Sequence, residues 1–67
     1  MSRKAVVFVA ELSYMEKLEI AIKSLCAHHH HLKIYVLNEN IPTEWFQLMN
    51  HRLATIDSEI LNCRVAA

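Results

Sequence analysis

Hydrophobic positions in this chain follow two rhythms. Residues 5–10, Ala-Val-Val-Phe-Val-Ala, form an unbroken apolar run of strand length, and residues 32–37, Leu-Lys-Ile-Tyr-Val-Leu, form a second. Between them, residues 14–27 carry Tyr14, Leu18, Ala21, Ile22 and Leu25 at the spacing of one helical face, with Glu16, Lys17, Glu19 and Lys23 largely on the other. Glu19 and Lys23 stand four apart in the order that supports a helix by about 0.2–0.5 kcal/mol. Ser13 is a candidate N-cap, with Glu16 placed to complete a capping box. After the polar turn Asn38-Glu39-Asn40, a second helix starts near Pro42, suited to a first-turn position, and ends about Leu53. Its expected apolar face is Trp45, Leu48, Met49 and Leu53. Asp57-Ser58 marks a turn, and residues 60–65 read as a third strand.

Two strands joined through one helix lie parallel, because a hairpin could not absorb so many residues. A helix of about fifteen residues rises about 22 Å, enough to return the chain along a strand. The predicted fold is therefore α/β, a βαβαβ half of a doubly wound, Rossmann-like parallel sheet with strand order 3-2-1. Ligands of such sheets sit at the carboxyl ends of the strands, which directs attention to residues 10–14. The chain contains no glycine, so neither a Walker loop nor a G-x-G-x-x-G turn can form there.

Composition narrows the classes. Sixty-seven residues suffice for one domain, residues 1–67, and so small a domain buries only about 60% of the surface its unfolded chain exposes. A hydrophobic fraction of 54% is high for that size and leaves apolar area for a partner. Seven basic residues balance seven acidic ones, which favours self-association and gives no support to nucleic acid or an anionic membrane as a partner. No apolar run approaches the ~20 residues of a membrane span, and no signal peptide is evident, so a cytoplasmic location is expected. Cys26 and Cys63 make no C-x-x-C and read as small buried residues in a reducing compartment. His28-His29-His30-His31 falls in the loop after the first helix, at the end opposite residues 10–14. Consecutive side chains diverge, so the run makes no fixed metal cage, although adventitious metal binding is an alternative. Trp45 fits the buried helix stripe better than a ligand platform.

The stretch Ala21-Ile22-Lys23-Ser24-Leu25-Cys26, continued by Leu32-Lys33-Ile34-Tyr35-Val36-Leu37-Asn38 and by Ile41-Pro42-Thr43-Glu44-Trp45-Phe46, resembles the amino-terminal region of glycosyltransferase family 8. The resemblance covers nearly the whole chain in register. It implies the amino-terminal, donor-binding part of a GT-A type, retaining, UDP-sugar-dependent bacterial transferase. In that family the end of the first strand and the following turn hold the uridine. Carried over, Val9 and Ala10 line the pocket, Glu11 stands for the acidic residue that reads the uracil edge, and Tyr14 stacks on the base. Leu12 and Ser13 fall where members often show Asp and Asn, with Ser13 retaining a polar group for the nucleotide. The alternative is that Tyr14 caps the core and Glu11 is a solvated turn residue.

Family members also hold Mn²⁺ through an Asp-x-Asp motif and a later histidine. Here the one aspartate is Asp57, so no metal ligand, catalytic residue or cofactor is expected on this chain, and it reads as a truncated partial domain without activity of its own. A competing expectation from another class is a small α/β self-association module without a substrate. In the family's sheet the first strand is interior, with the second strand on one side and later strands on the other; without those later strands residues 5–10 are expected to form an unpaired edge, flanked by Arg3 and Lys4. That edge predicts a homo-oligomer through the first strand.

Overall fold

The computed structural model describes residues 4–65; Arg3, expected to flank the first strand, lies outside them. Three strands, β1 (Lys4–Val9), β2 (Leu32–Asn38) and β3 (Glu59–Arg64), alternate with two helices, α1 (Met15–His28) and α2 (Thr43–Leu53). All pairings are parallel and β2 lies between β1 and β3, the neighbour order expected. Val7, Tyr35 and Leu61 share one row across the sheet, and Val9, Leu37 and Cys63 share the next on the same face.

The alternation of β2 explains the layering. Leu32, Ile34, Val36 and Asn38 are buried, and the residues between them are half-buried. The buried set lies under both helices, packed with Leu18 and Ile22 of α1 and Trp45, Phe46, Met49 and Leu53 of α2. Val6, Phe8 and Ile60 complete this core from the outer strands. Trp45 and Phe46 meet edge to face, with ring centroids 5.1 Å apart, a favourable arrangement of their quadrupoles. Both helices therefore cover one face of the sheet. The other face, where Val7 is 61% and Val9 82% exposed, carries no helix among the described residues.

Local signals mislead in several places. The helical stripe predicted from residue 14 begins instead with a 3₁₀ turn, Leu12–Tyr14, and α1 starts at Met15. The capping box does not form: no side chain caps α1, and the Ser13 hydroxyl donates to the Glu11 carboxylate instead. Tyr14 is 52% exposed, so it does not cap the core. In α2, Leu48 faces outward and Phe46 is buried in its place, because α2 packs against β3 and buries a broad face of Trp45, Phe46, Met49 and Leu53. Pro42 occupies the N-cap itself, and its carbonyl accepts the Trp45 amide at 3.1 Å. Cys26 and Cys63 are free thiols and only half-buried.

Without glycine the chain uses other residues for left-handed backbone. His31 (φ 58°) and Asp57 (φ 51°) both adopt it, and their side chains meet, Nδ1 to Oδ2, at 2.9 Å. Asp tolerates this conformation better than most residues. Beneath them the buried Ser58 hydroxyl accepts the Leu32 amide at 2.8 Å and donates to the Ile56 carbonyl. The histidine run thus ends in the turn that anchors the start of β2.

Candidate functional site

The strands point their carboxyl ends at one cleft of 490 Å³. It is lined by Val9, Ala10, Glu11 and Tyr14 after β1, Leu37 to Asn40 at the end of β2, and Val65 after β3. The parallel pairing that makes Val9 a neighbour of Leu37 brings these segments together. Four of the five residues singled out from the sequence, Val9, Ala10, Glu11 and Tyr14, share this wall. Ser13 does not line the cleft; it stands behind Glu11 and donates a hydrogen bond to its carboxylate.

The opposite wall was legible only as a polar turn, and it proves to be the more built of the two. Asn38 is 2% exposed, and every part of its amide is used. Nδ2 donates to the Val36 carbonyl at 3.1 Å and to Asn62 Oδ1 at 2.8 Å, while Oδ1 accepts the Ile41 amide at 3.1 Å. Its backbone carbonyl accepts the Val65 amide at 2.8 Å, which draws the end of β3 to the cleft. Arg64 closes the same loop by donating to the carbonyls of Glu39 and Ile41 at 2.8 and 3.1 Å. Asn40 then crosses the cleft, its Oδ1 accepting the Leu12 amide at 2.9 Å. The two loops that frame the cleft are thereby fixed to each other. The signal that could have identified this wall was available: parallel strands end together, so Asn38-Glu39-Asn40 must flank residues 10–14.

The chemistry of the cleft follows from its lining. Its floor is apolar, from Val9, Ala10, Leu37 and Val65, and its rim carries one aromatic ring, amides and the carboxylates of Glu11 and Glu39. Lys17 Nζ lies 5.3 Å from the Tyr14 ring centroid, within cation–π range, and so steadies that exposed ring. No lysine or arginine side chain lines the cleft, so a planar, hydrogen-bonding group suits it better than a phosphate. Among the described residues no group of three or more His, Cys, Asp or Glu is placed to hold a metal ion.

A second groove of 280 Å³ lies between the helices, lined by Ile22, Cys26, Met49, Arg52 and neighbours. Burial pushes the Cys26 thiol above its ordinary pKa, which lowers the fraction present as the nucleophilic thiolate at neutral pH. No helix among the described residues is long and apolar enough to cross a membrane.

No protein-family model matches the chain. It is 51% identical over 65 residues to glycosyltransferase GlyB of Streptococcus pneumoniae serotype 4, covering 97% of this chain and 16% of that protein. It is 41% identical over 64 residues to glycosyltransferase GlyE of the same organism, covering 96% and 16% respectively. The crystal structure of GlyE from strain TIGR4 superposes with a TM-score of 0.94 at 39% identity, over all of this chain and 17% of that one. At these identities the likeness exceeds a shared fold. Over nearly its whole length, then, the chain is homologous to glycosyltransferases, and it spans about a sixth of the length of GlyB and of GlyE.

Proposed function

We propose that this chain is the amino-terminal, donor-binding part of a bacterial glycosyltransferase of family 8, acting in the cytoplasm on a UDP-sugar. The observation that carries it is the convergence of Val9, Ala10, Glu11 and Tyr14 with Asn38, Glu39 and Asn40 on one cleft at the carboxyl ends of parallel strands. Homology to glycosyltransferases along the chain supports it further. In this proposal the uracil ring stacks on Tyr14 over the apolar floor. A Glu11 carboxylate oxygen, oriented by the Ser13 hydroxyl, accepts the imide N–H of the base. The cleft holds the nucleoside alone. With neither a cation nor a metal site in its wall, the diphosphate and the sugar are left to groups beyond it, and the chain by itself transfers nothing.

An NMR titration tests the site. UDP should shift the amides of Ala10, Glu11 and Tyr14 with a dissociation constant on the order of millimolar, because base contacts alone must offset the entropy of association. Tyr14→Ala should abolish those shifts. Shifts confined to the histidine run, or none at millimolar UDP, would remove the nucleotide from this cleft. Self-association through β1 is favoured separately, by the exposure of Val7 and Val9 on an edge strand.

A further inference from the structure

We propose that Asn40 is a specificity-determining residue of the cleft: its side-chain amide donates to a ring carbonyl of the bound base, beside the ring N–H that Glu11 accepts. Together the two side chains select a base with a keto edge. This rests on the nucleotide reading of the cleft and supplies the second half of its hydrogen-bond pattern.

An asparagine amide has two ends of opposite character, an oxygen that only accepts and an NH2 that only donates. Asn38 and Asn50 engage both ends within the chain. Asn38 donates to Val36 and Asn62 and accepts from Ile41. On the side of β3 away from β2, Asn50 Oδ1 accepts the Ile60 amide at 2.8 Å and its Nδ2 donates to the Ile60 carbonyl at 2.9 Å. Asn40 differs. Its Oδ1 accepts the Leu12 amide at 2.9 Å, and among the described residues nothing accepts from its Nδ2. A backbone N–H can only donate, so this bond decides which end of the amide faces Leu12; the flipped amide would set donor against donor. What Asn40 has left to offer in the cleft it lines is therefore its NH2.

The same bond fixes where that donor stands. Leu12 follows Glu11 directly, so Asn40 is tied one residue from the carboxylate, which is itself held by the Ser13 hydroxyl. The loop carrying Asn40 is held from its other side by Arg64, which donates to the carbonyls of Glu39 and Ile41. The rim over the apolar floor thus carries an acceptor and a donor close together, beside the Tyr14 ring. A keto base, uracil in the reading above, offers the complement: a ring N–H flanked by carbonyl oxygens. Cytosine has no ring N–H, and an NH2 replaces one of the flanking oxygens. It sets acceptor against acceptor at Glu11 and, on that flank, donor against donor. A site built on hydrogen bonds rejects a mismatched group more strongly than a matched group binds, because its own polar atoms are left unpaired.

The test is an NMR titration of the full chain, Asn40→Ala and Asn40→Asp with UDP and with its 2-thio and 4-thio analogues, in which sulfur, a poor acceptor, replaces one ring carbonyl oxygen. Asn40→Ala should weaken UDP about fivefold, the loss of one hydrogen bond. On the unsubstituted chain one of the two analogues should bind about fivefold more weakly than UDP, and on Asn40→Ala that difference should vanish. Asn40→Asp keeps an acceptor for Leu12 but no donor. The Leu12 amide proton should therefore stay at its hydrogen-bonded shift without ligand, while this variant, too, fails to distinguish the analogue from UDP. A purely structural role for Asn40 would be rescued by Asp and would leave the thio effect in place. UDP shifts at Ala10, Glu11 and Tyr14 with thio effects equal in all three chains would overturn the role of Asn40 and leave the nucleotide reading standing. No shifts with UDP in any chain would overturn both.

Discussion

Replacing Asn38 by alanine probes the wall of the cleft where the structure concentrates the most interactions in one side chain. The substitution deletes the bonds to Val36, Asn62 and Ile41, and it leaves the Ile41 amide buried beside a methyl group. An ordinary internal hydrogen bond contributes about 0.5–1.5 kcal/mol, and a buried donor left unpaired costs about 1–3 kcal/mol. Ile41 is fully buried, so the upper part of that range applies to its amide, and the total comes to about 3 kcal/mol. A chain of this size has about 3–10 kcal/mol of stability to lose. Urea unfolding followed by Trp45 fluorescence measures the loss directly, because Trp45 is the one tryptophan and is buried. With a slope of about 1 kcal/mol per molar, the midpoint should fall by about 3 M. Asn38→Asp should do no better at neutral pH. Its carboxylate keeps the acceptor for Ile41 but turns negative charge on the Val36 carbonyl and Asn62 Oδ1, which had been facing a donor. A midpoint shift below about 0.5 M for Asn38→Ala would mean that the amide network does not hold the cleft and that water replaces it at little cost.

Other outcomes follow from single features. Phe46→Ala should destabilise by about 3–5 kcal/mol and Leu48→Ala by less than about 1 kcal/mol in the same assay, because the first side chain is buried and the second is 48% exposed. Asn50→Ala should lower stability by about 1–3 kcal/mol and should speed aggregation measured by turbidity, since it unblocks the outer edge of β3. Cys26 should be alkylated by iodoacetamide more slowly than a free thiol at pH 8, with the rate rising at higher pH. Burial raises its pKa and so lowers the thiolate fraction at any given pH. UDP-sugar turnover with Mn²⁺ should not exceed the protein-free control; turnover lost on Glu11→Gln would show a reacting site in this cleft.

Elements with a strong period were legible from residue patterns alone. The apolar runs gave β1 and β2, the helical stripes gave α1 and α2, and the length of the connections required parallel pairing. Position on a face was legible only where a tertiary neighbour agreed with the local pattern. Leu48 continues a clean helical stripe, yet the sheet sits closer to Phe46, and only the packed structure decides between them. Ser13 and Glu16 have the spacing of a capping box, but the chain enters α1 through a 3₁₀ turn, and the Ser13 hydroxyl finds Glu11 first. Half of the cleft could be read because Val9 to Tyr14 follow a strand. The other half depends on bonds over long sequence distances, such as Asn38 to Asn62 and Arg64 to Glu39, whose partners no local pattern names.

The glycine-free, all-parallel sheet also governs how the chain reaches its native state. No strand here can pair with a neighbour through a tight turn. The Leu12–Asn40 bond closes a span of 28 residues and the Leu32–Ser58 bond a span of 26, each a large fraction of the chain. Closing such loops loses entropy before any ladder bond compensates, so contact order is high for so short a protein. Folding should then be slow beside helical chains of equal length, with α1 and α2 flickering early and the sheet forming in the rate-limiting step. Until β2 is captured, neither outer strand has anything to pair with, and the buried alternation of Leu32, Ile34 and Val36 becomes the nucleus on which both crossovers depend.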